Sequence, residues 1–281
     1  MPSEMLWLLL LVIGWAVVAG IKYLFFWRAR GIQLYPEGQL QHFGHRGAPS
    51  HAPENTIPSF QAAFAAGMDG IELDVMETAD GELVVMHDRE LERLTNGSGY
   101  VRDTSYSIIA GLHVTYGQGQ TSSPISVPSL EEVLDILPPG KIINIELKTR
   151  GWLDRGFEEK VVALVRRFRL VKRVIISSFN PLSLIKVRAL EPEVAIGYIW
   201  RKTKVPWYLR KPYLMHLVHP DFFHPHVVLV TPEIVAKAHR RGMRVNVWTV
   251  NNRPMLRYLE TIGVDGIFTD FPELVHGEEE A

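Results

Sequence analysis

Two apolar runs carry charge at alternate positions: Glu72 and Asp74 in GIELDVM, and Glu146 and Lys148 in INIELK. Residues two apart in a strand share a face, so each pair projects to one side. Unpaired carboxylates buried in such runs cost several kcal/mol each, so something must offset them. One solution is a divalent cation among Glu72, Asp74 and Glu146. The other is a set of internal ion pairs, Glu146 with Lys148 among them, and spacing alone leaves both open. The chain has no cysteine, and an all-oxygen donor set suits Mg2+ or Ca2+ better than Zn2+.

The company of these residues favours the cation. His45 and Arg46 end one candidate strand, and His87 with Asp88 ends another. Two imidazoles titrating near neutrality can act as general acid and general base. Arg46 and Lys148 supply fixed positive charge for an anionic group, and arginine grips phosphate oxygens in bidentate fashion.

Positioning falls to short β-branched runs that alternate with amphipathic helices from Gln41 onward, the rhythm of a parallel sheet covered by helices. Strands are expected at Gln41–His45, Gly70–Met76, Glu82–His87, Lys141–Lys148, Arg173–Phe179, Val194–Tyr198, His226–Val230, Met243–Val250 and Asp265–Thr269. Helices are expected near Thr56–Ala66, Ser129–Leu137, Gly156–Phe168, Pro181–Leu190, Pro232–Arg241 and Arg253–Ile262. This pattern and length fit a (β/α)8 TIM barrel, whose catalytic groups gather at strand C-terminal ends; a doubly wound open sheet is the alternative. A stretch rich in Gly, Ser and Thr, residues 89–128, reads as a small insertion after an early strand.

The 281 residues are 47% hydrophobic, and 30 basic residues balance 31 acidic ones at a net charge of −1, which gives no electrostatic case for a nucleic-acid partner. Met5 through Trp27 is apolar apart from Lys22. Such a helix, at about 1.5 Å per residue, crosses a hydrocarbon layer of roughly 30 Å. Only Glu4 and the terminal amine precede the run, unlike the basic start of a cleaved signal, so a retained anchor is expected. Lys22, Arg28 and Arg30 on its C-terminal flank place the large domain on the cytoplasmic side of a single-pass membrane protein. The expected division is an anchor at 1–30, a linker at 31–40, a catalytic domain at 41–276 and an acidic tail at 277–281.

The segment GHRGAPSHAPENTIPSFQAAFAAGMDGIELDVMETADGELVVMHD, residues 44–88, resembles the glycerophosphodiester phosphodiesterases, metal-dependent TIM-barrel enzymes. Weaker echoes follow in VPSLEEVL, INIELK, ISSFNP, VNVWTVN and GVDGIFTDFP, so the resemblance covers nearly everything after Gln41. It implies that His45 and His87 are the acid–base pair, that Glu72, Asp74 and Glu146 hold one divalent cation, and that Arg46 and Lys148 contact phosphate. It further implies that Phe179 and Trp248 line the substrate pocket. In this family the neighbouring glycerol hydroxyl is thought to attack phosphorus, giving a cyclic phosphate that water opens; direct attack by water is the other route.

Glu54 is expected to brace the loop before the first barrel helix, whose start is marked by Asn55 or Thr56 and Pro58. The histidines at 216, 219, 224 and 226 have only Asp221 as a nearby carboxylate and are not read as a second metal site. The basic, aromatic segment from Trp200 to Met215 suits either a membrane interface or packing on the barrel. Three functions stay in view: hydrolysis of glycerophosphodiesters to glycerol 3-phosphate and an alcohol, a lysophospholipase D-like activity on membrane lysophospholipids, and a catalytically silent, anchored headgroup-binding module.

Overall fold

Strict alternation along the strands builds the architecture. In a computed structural model that describes residues 3–115, 124–149, 151 and 156–276, the strands are β1 (Gln41–Gly44), β2 (Gly70–Glu77), β3 (Leu83–Val85), β4 (Ile142–Leu147), β5 (Val174–Ser178), β6 (Ala195–Trp200), β7 (Phe222–Pro225), β8 (Arg244–Val247) and β9 (Gly266–Thr269). The helices are α1 (Ser3–Phe25), α2 (Ile57–Ala65), α3 (Tyr106–Ala110), α4 (Leu130–Asp135), α5 (Phe157–Arg167), α6 (Pro181–Leu190), α7 (Met215–Val218), α8 (Pro232–Arg240), α9 (Arg253–Thr261) and α10 (Glu273–His276). All the strands except β3 are parallel and form a closed ring, with β1 pairing both β2 and β9. This is the expected TIM barrel. The acidic tail lies outside the described residues.

Odd-numbered β2 and β4 residues and their even-numbered neighbours part company. Ile71, Leu73, Val75, Ile143, Ile145 and Leu147 pack outward against Phe60, Val161, Val165 and the other buried helix residues. Glu72, Asp74, Asn144 and Glu146 point into the barrel. Below them Phe43, Ile142, Ile175, Phe222 and Phe268 form an apolar floor that receives Tyr35 from residues 31–40. The Tyr35 hydroxyl donates to Asn246 Oδ1 at 2.7 Å. Gly197 makes room inside the barrel for His224, because a Cβ there would lie 2.6 Å from the ring Cε1.

Two expected strands are corrected. Glu82–His87 is not a barrel strand: β3 pairs antiparallel with β2, Val85 opposite Val75, and runs back from the rim toward the mouth. A tight Thr78–Glu82 turn permits this reversal, with Thr78 N donating to Glu82 O at 3.0 Å. His226–Val230, by contrast, is not a strand at all. Its apolar run forms a 3-10 turn at Val227–Leu229 with Val228 exposed, and the sixth barrel strand, β7, is the preceding FFHP, paired with both β6 and β8. Apolar composition alone does not separate a buried strand from a turn capping a loop.

The insertion after β3 carries its own small core of Leu91, Leu94, Val101, Ile109, Val114 and Val127 against Met76, Val84 and Met86. At the other end of the chain's first segment, α1 holds a 19-residue apolar span, Trp7–Phe25, none of it buried in the protein. It is long and apolar enough to cross a membrane, a property it shares with signal sequences.

Candidate active site

The left-handed turn at the end of β1 starts the site. Arg46 has φ 55°, and from there its backbone N–H donates to Glu72 Oε2 at 2.9 Å while its guanidinium reaches Glu54 Oε1 at 2.9 Å and Asp74 Oδ2 at 3.3 Å. Glu54 thus braces the loop, and it also accepts from Arg93 of the insertion at 2.7 Å. Thr56 caps α2 by accepting from Ser59 N, and Pro58 occupies the first turn. The neighbouring Asn55, also left-handed, donates to Asp74 Oδ2 at 2.9 Å and accepts from Asp74 N at 3.2 Å.

β2 and β4 lie in register with Asp74 opposite Glu146, which brings the acids together. One oxygen from each of Glu72, Asp74 and Glu146 lies within 4.8 Å of the others, and all three residues are buried. Lys148 Nζ stands 2.9 Å from Asp74 Oδ1 and 2.5 Å from Glu146 Oε1. The ion pair read from the sequence therefore exists alongside the acidic triad. Burial and the adjacent Asp74 charge push the Glu72 carboxyl well up, despite the counteracting His45. Burial alone would do the same to Asp74, but Lys148 and Arg46 hold it far below the usual carboxylate range. Lys148 satisfies only part of this charge, and a divalent cation fits the rest, having three converging hard oxygens to bind.

The two imidazoles flank the acids and sit in opposite fields. His45 Nδ1 donates to Asp270 Oδ1 at 2.7 Å; burial disfavours its charged form, but the Asp270 hydrogen bond and the Glu72 charge overcome this and raise its pKa. His87 Nδ1 lies 2.6 Å from Asp88 Oδ1, yet burial and the Lys148 charge lower its pKa. Asp88 is in turn gripped by Arg93.

A cavity of about 270 Å3 joins His45, Arg46, Glu72, His87, Glu146 and Lys148 to Phe179 and Trp248. The two aromatic rings meet edge to face, 5.8 Å apart at 83°, and Trp248 Nε1 donates to His224 O at 2.8 Å. Arg201 and Lys204 complete the rim, with the Arg201 guanidinium 5.7 Å from the Trp248 ring centre. A neighbouring cavity of about 280 Å3 shares His87, Glu146, Lys148 and Phe179 and adds Tyr208 and Leu209. Segment 200–215 divides accordingly: Trp200 is buried against Phe223, Tyr208 lines this second cavity, and Trp207 and Tyr213 are exposed.

The model of the glycerophosphoryl diester phosphodiesterase family matches residues 45–274. The chain belongs to that family. A glycerophosphodiester phosphodiesterase of Caldanaerobacter subterraneus subsp. tengcongensis is 37% identical over 231 residues, 82% of this chain and 93% of that protein. Among solved structures, a glycerophosphodiester phosphodiesterase from Agrobacterium tumefaciens is 29% identical at a TM-score of 0.72, covering 84% of this chain and 98% of its own. A phosphodiesterase of Oleispira antarctica, in complex with the product sn-glycerol-3-phosphate, is 28% identical at a TM-score of 0.71 and covers 84% and 95%. As a glycerophosphodiester phosphodiesterase, the chain is a phosphoric diester hydrolase, which sets aside the silent binding module.

The nine residues expected to act in the site, His45, Arg46, Glu72, Asp74, His87, Glu146, Lys148, Phe179 and Trp248, come together at this one mouth, and Glu54 braces it. Three partners escaped sequence reasoning. Asn55 reads as helix-start punctuation, Asp270 follows the last strand with no marked neighbour, and Asn144 hides in the INIELK run, donating to Ser177 Oγ at 2.9 Å. For Asp270 the available signal was position, since a polar residue directly after a barrel strand falls on the catalytic rim. The histidines at 216 and 219 lie beside Trp27 at the opposite end, while His224 is inside the barrel and His226 touches Trp248. Among the described residues, the acidic triad is the group of three or more potential ligands close enough to share an ion.

Proposed function

We propose that the chain is a membrane-anchored phosphodiesterase that hydrolyses glycerophosphodiesters to glycerol 3-phosphate and an alcohol, with one divalent cation, Mg2+ or Ca2+, held by Glu72, Asp74 and Glu146. The observation that carries this reading is the convergence of three buried carboxylates between two oppositely biased histidines and two cations, Arg46 and Lys148. When bound, the cation supplies Lewis-acid stabilisation of charge on the phosphoryl oxygens. Arg46 and Lys148 orient the phosphate. Phe179 and Trp248 pack against the apolar part of the substrate.

His87, kept neutral beside Lys148, removes the proton of the glycerol hydroxyl next to the phosphate. That oxygen bonds to phosphorus, the bond to the alcohol oxygen breaks, and His45, kept protonated against Asp270, donates a proton to the departing alcohol. The roles then exchange: His45 takes a proton from water as it adds to phosphorus, the cyclic ester bond opens, and His87 returns its proton to the glycerol oxygen. α1 is the retained anchor, and the basic residues after it favour a cytoplasmic barrel.

Turnover of glycerophosphocholine, abolished by EDTA and restored by Mg2+ or Ca2+, tests the cation. His87→Ala is expected to lower kcat by roughly 10² or more; an unchanged kcat refutes the acid–base assignment. The second reading, lysophospholipase D-like action, is favoured by the exposed Trp207 and Tyr213 beside the Tyr208 cavity. A parallel assay on lysophosphatidylcholine decides between the two substrates.

A further inference from the structure

The base of the barrel, opposite the catalytic mouth, carries a second concave site. α1 ends at Phe25 and the chain docks at once: Ala29 N donates to Arg241 O at 2.7 Å, Trp27 stacks on His219 at 4.8 Å, and Arg30 pairs with Asp221 at 2.6 Å while donating to Val194 O at 2.9 Å. Val194, Asp221 and Arg241 precede β6, β7 and β8, so these contacts mark the N-terminal ends of the strands. With Tyr35 seated in the barrel floor, the connection between α1 and the barrel has no slack.

Beside this junction lies a cavity of about 360 Å3 between the end of α1 and the last turn of α8. Arg28, Lys237 and Arg240 line it, all three exposed, and among the described residues none has a carboxylate within 4.0 Å. Arg241 is held over the Trp27 ring at 5.0 Å, and Phe26 is 76% exposed next to them. Unpaired cations and a bare aromatic side by side, at the end of a helix too apolar for water, match the lipid–water boundary, where phosphate oxygens lie at that depth.

We propose that this basal pocket seats the phosphate headgroup of an anionic phospholipid from the membrane that holds α1. The barrel then stands on its base with the catalytic mouth turned to water. It receives its diester as a water-soluble, deacylated molecule, because a lysophospholipid of the same bilayer would have to leave the membrane and travel the height of the barrel. The proposal rests on the reading of α1 as a retained anchor and names the substrate class for the mouth described above.

The absence of cysteine makes single-site labelling clean. Full-length protein carries a donor dye on Glu193→Cys, exposed in the turn before β6, or on Thr203→Cys, exposed in the loop after it. Each form is placed in nanodiscs of phosphatidylcholine, with or without phosphatidylglycerol, containing a headgroup-labelled acceptor lipid. Energy transfer is expected to be strong from Cys-labelled position 193 and at least roughly threefold weaker from position 203, with phosphatidylglycerol widening the gap. The combined Arg28→Glu, Lys237→Glu and Arg240→Glu variant is expected to lose the phosphatidylglycerol effect while turning over glycerophosphocholine as before. Equal transfer from both positions, or stronger transfer from 203, overturns the orientation. A phosphatidylglycerol effect left unchanged in the combined variant overturns the lipid site, and calorimetric binding of inorganic phosphate to the detergent-solubilised protein, with transfer in the discs indifferent to phosphatidylglycerol, assigns the pocket to free phosphate. Comparable kcat/KM on lysophosphatidylcholine in the same discs overturns the substrate class, and recovery of a chain shortened by α1 overturns the anchor. Glycerophosphocholine turnover on these samples reports the acid–base and cation assignments separately, since energy transfer needs no catalysis.

Discussion

Asp270 receives the Nδ1 proton of His45 at 2.7 Å across the seam where β9 closes the barrel onto β1. The two residues are 225 positions apart in the chain, and each sits one step beyond the end of its strand. Asn251 donates to the same carboxylate's other oxygen at 2.5 Å, so the aspartate is fixed from both sides. A carboxylate so placed sets the imidazole's tautomer and leaves Nε2 as its working nitrogen.

Asp270→Asn is accordingly expected to reduce kcat on glycerophosphocholine by roughly tenfold or more while leaving KM nearly unchanged. The substitution keeps the shape but removes the charge that raises the His45 pKa. The pH profile should shift with it, the limb belonging to His45 moving to lower pH. A wild-type kcat with an unmoved profile would remove Asp270 from the positioning of His45.

The cation site makes a prediction that does not depend on turnover. Glu146→Gln keeps the Lys148 contact but withdraws one of three converging charges. The Mg2+ or Ca2+ concentration needed for half-maximal thermal stabilisation is expected to rise by about tenfold or more. Equal stabilisation of wild type and variant across the titration would argue that the triad is closed by Lys148 and Arg46 alone.

Tyr35 tests how firmly the segment after α1 belongs to the barrel. Its ring is buried between Phe43 and Phe222, 6.3 and 5.8 Å between centres, and its hydroxyl satisfies Asn246. Tyr35→Ala leaves a cavity and an unpaired buried amide, and is expected to cost about 3–5 kcal/mol in denaturant unfolding. A cost below about 1 kcal/mol would mean that residues 31–40 are a loose linker.

At the base of the barrel, His239 Nε2 lies 2.7 Å from Asp265 Oδ2, and this hydrogen bond raises its pKa against the opposing effect of burial. A histidine whose folded pKa exceeds its unfolded value of about 6.5 stabilises the fold fully below that value, and the contribution fades as pH rises through the folded pKa. His239→Gln should therefore destabilise the protein most at about pH 5.5 and least at about pH 9, read from unfolding midpoints. A penalty that grows with pH would contradict the pairing.

Legibility followed physical periodicity. Charges two apart in β2 and β4 were readable because a strand's side chains repeat every second residue, and Pro58, Pro181 and Pro232 mark helix starts because proline forgoes a donor that a first turn does not use. The run HVVLV misled because hydrophobicity reports burial preference and not backbone pairing; FFHP forms β7 because β6 and β8 are there to receive it. Parallel-strand logic puts His87 at a catalytic end, and the structure reaches the same place by another topology. The residue arrives there on an antiparallel strand, with Met86 N donating to Asp74 O at 2.9 Å, a reversal that no local pattern announces.

Residue order alone determined which chemistry was present: three acids on strand faces, two imidazoles, two cations, no thiol and one span apolar enough for a bilayer. Those properties are local, set by side-chain type and backbone period. Tertiary structure decided what each group experiences, because fields and hydrogen bonds depend on distance in space and burial strengthens them. Closure of the ring joined Asp270 to His45, register set Glu146 opposite Asp74, and burial with the Lys148 charge lowered the pKa of one histidine while Asp270, against burial, raised that of the other. The docking of Trp27, Arg30 and Tyr35 at the barrel's base is likewise a matter of packing, for only the folded barrel has a floor to fill.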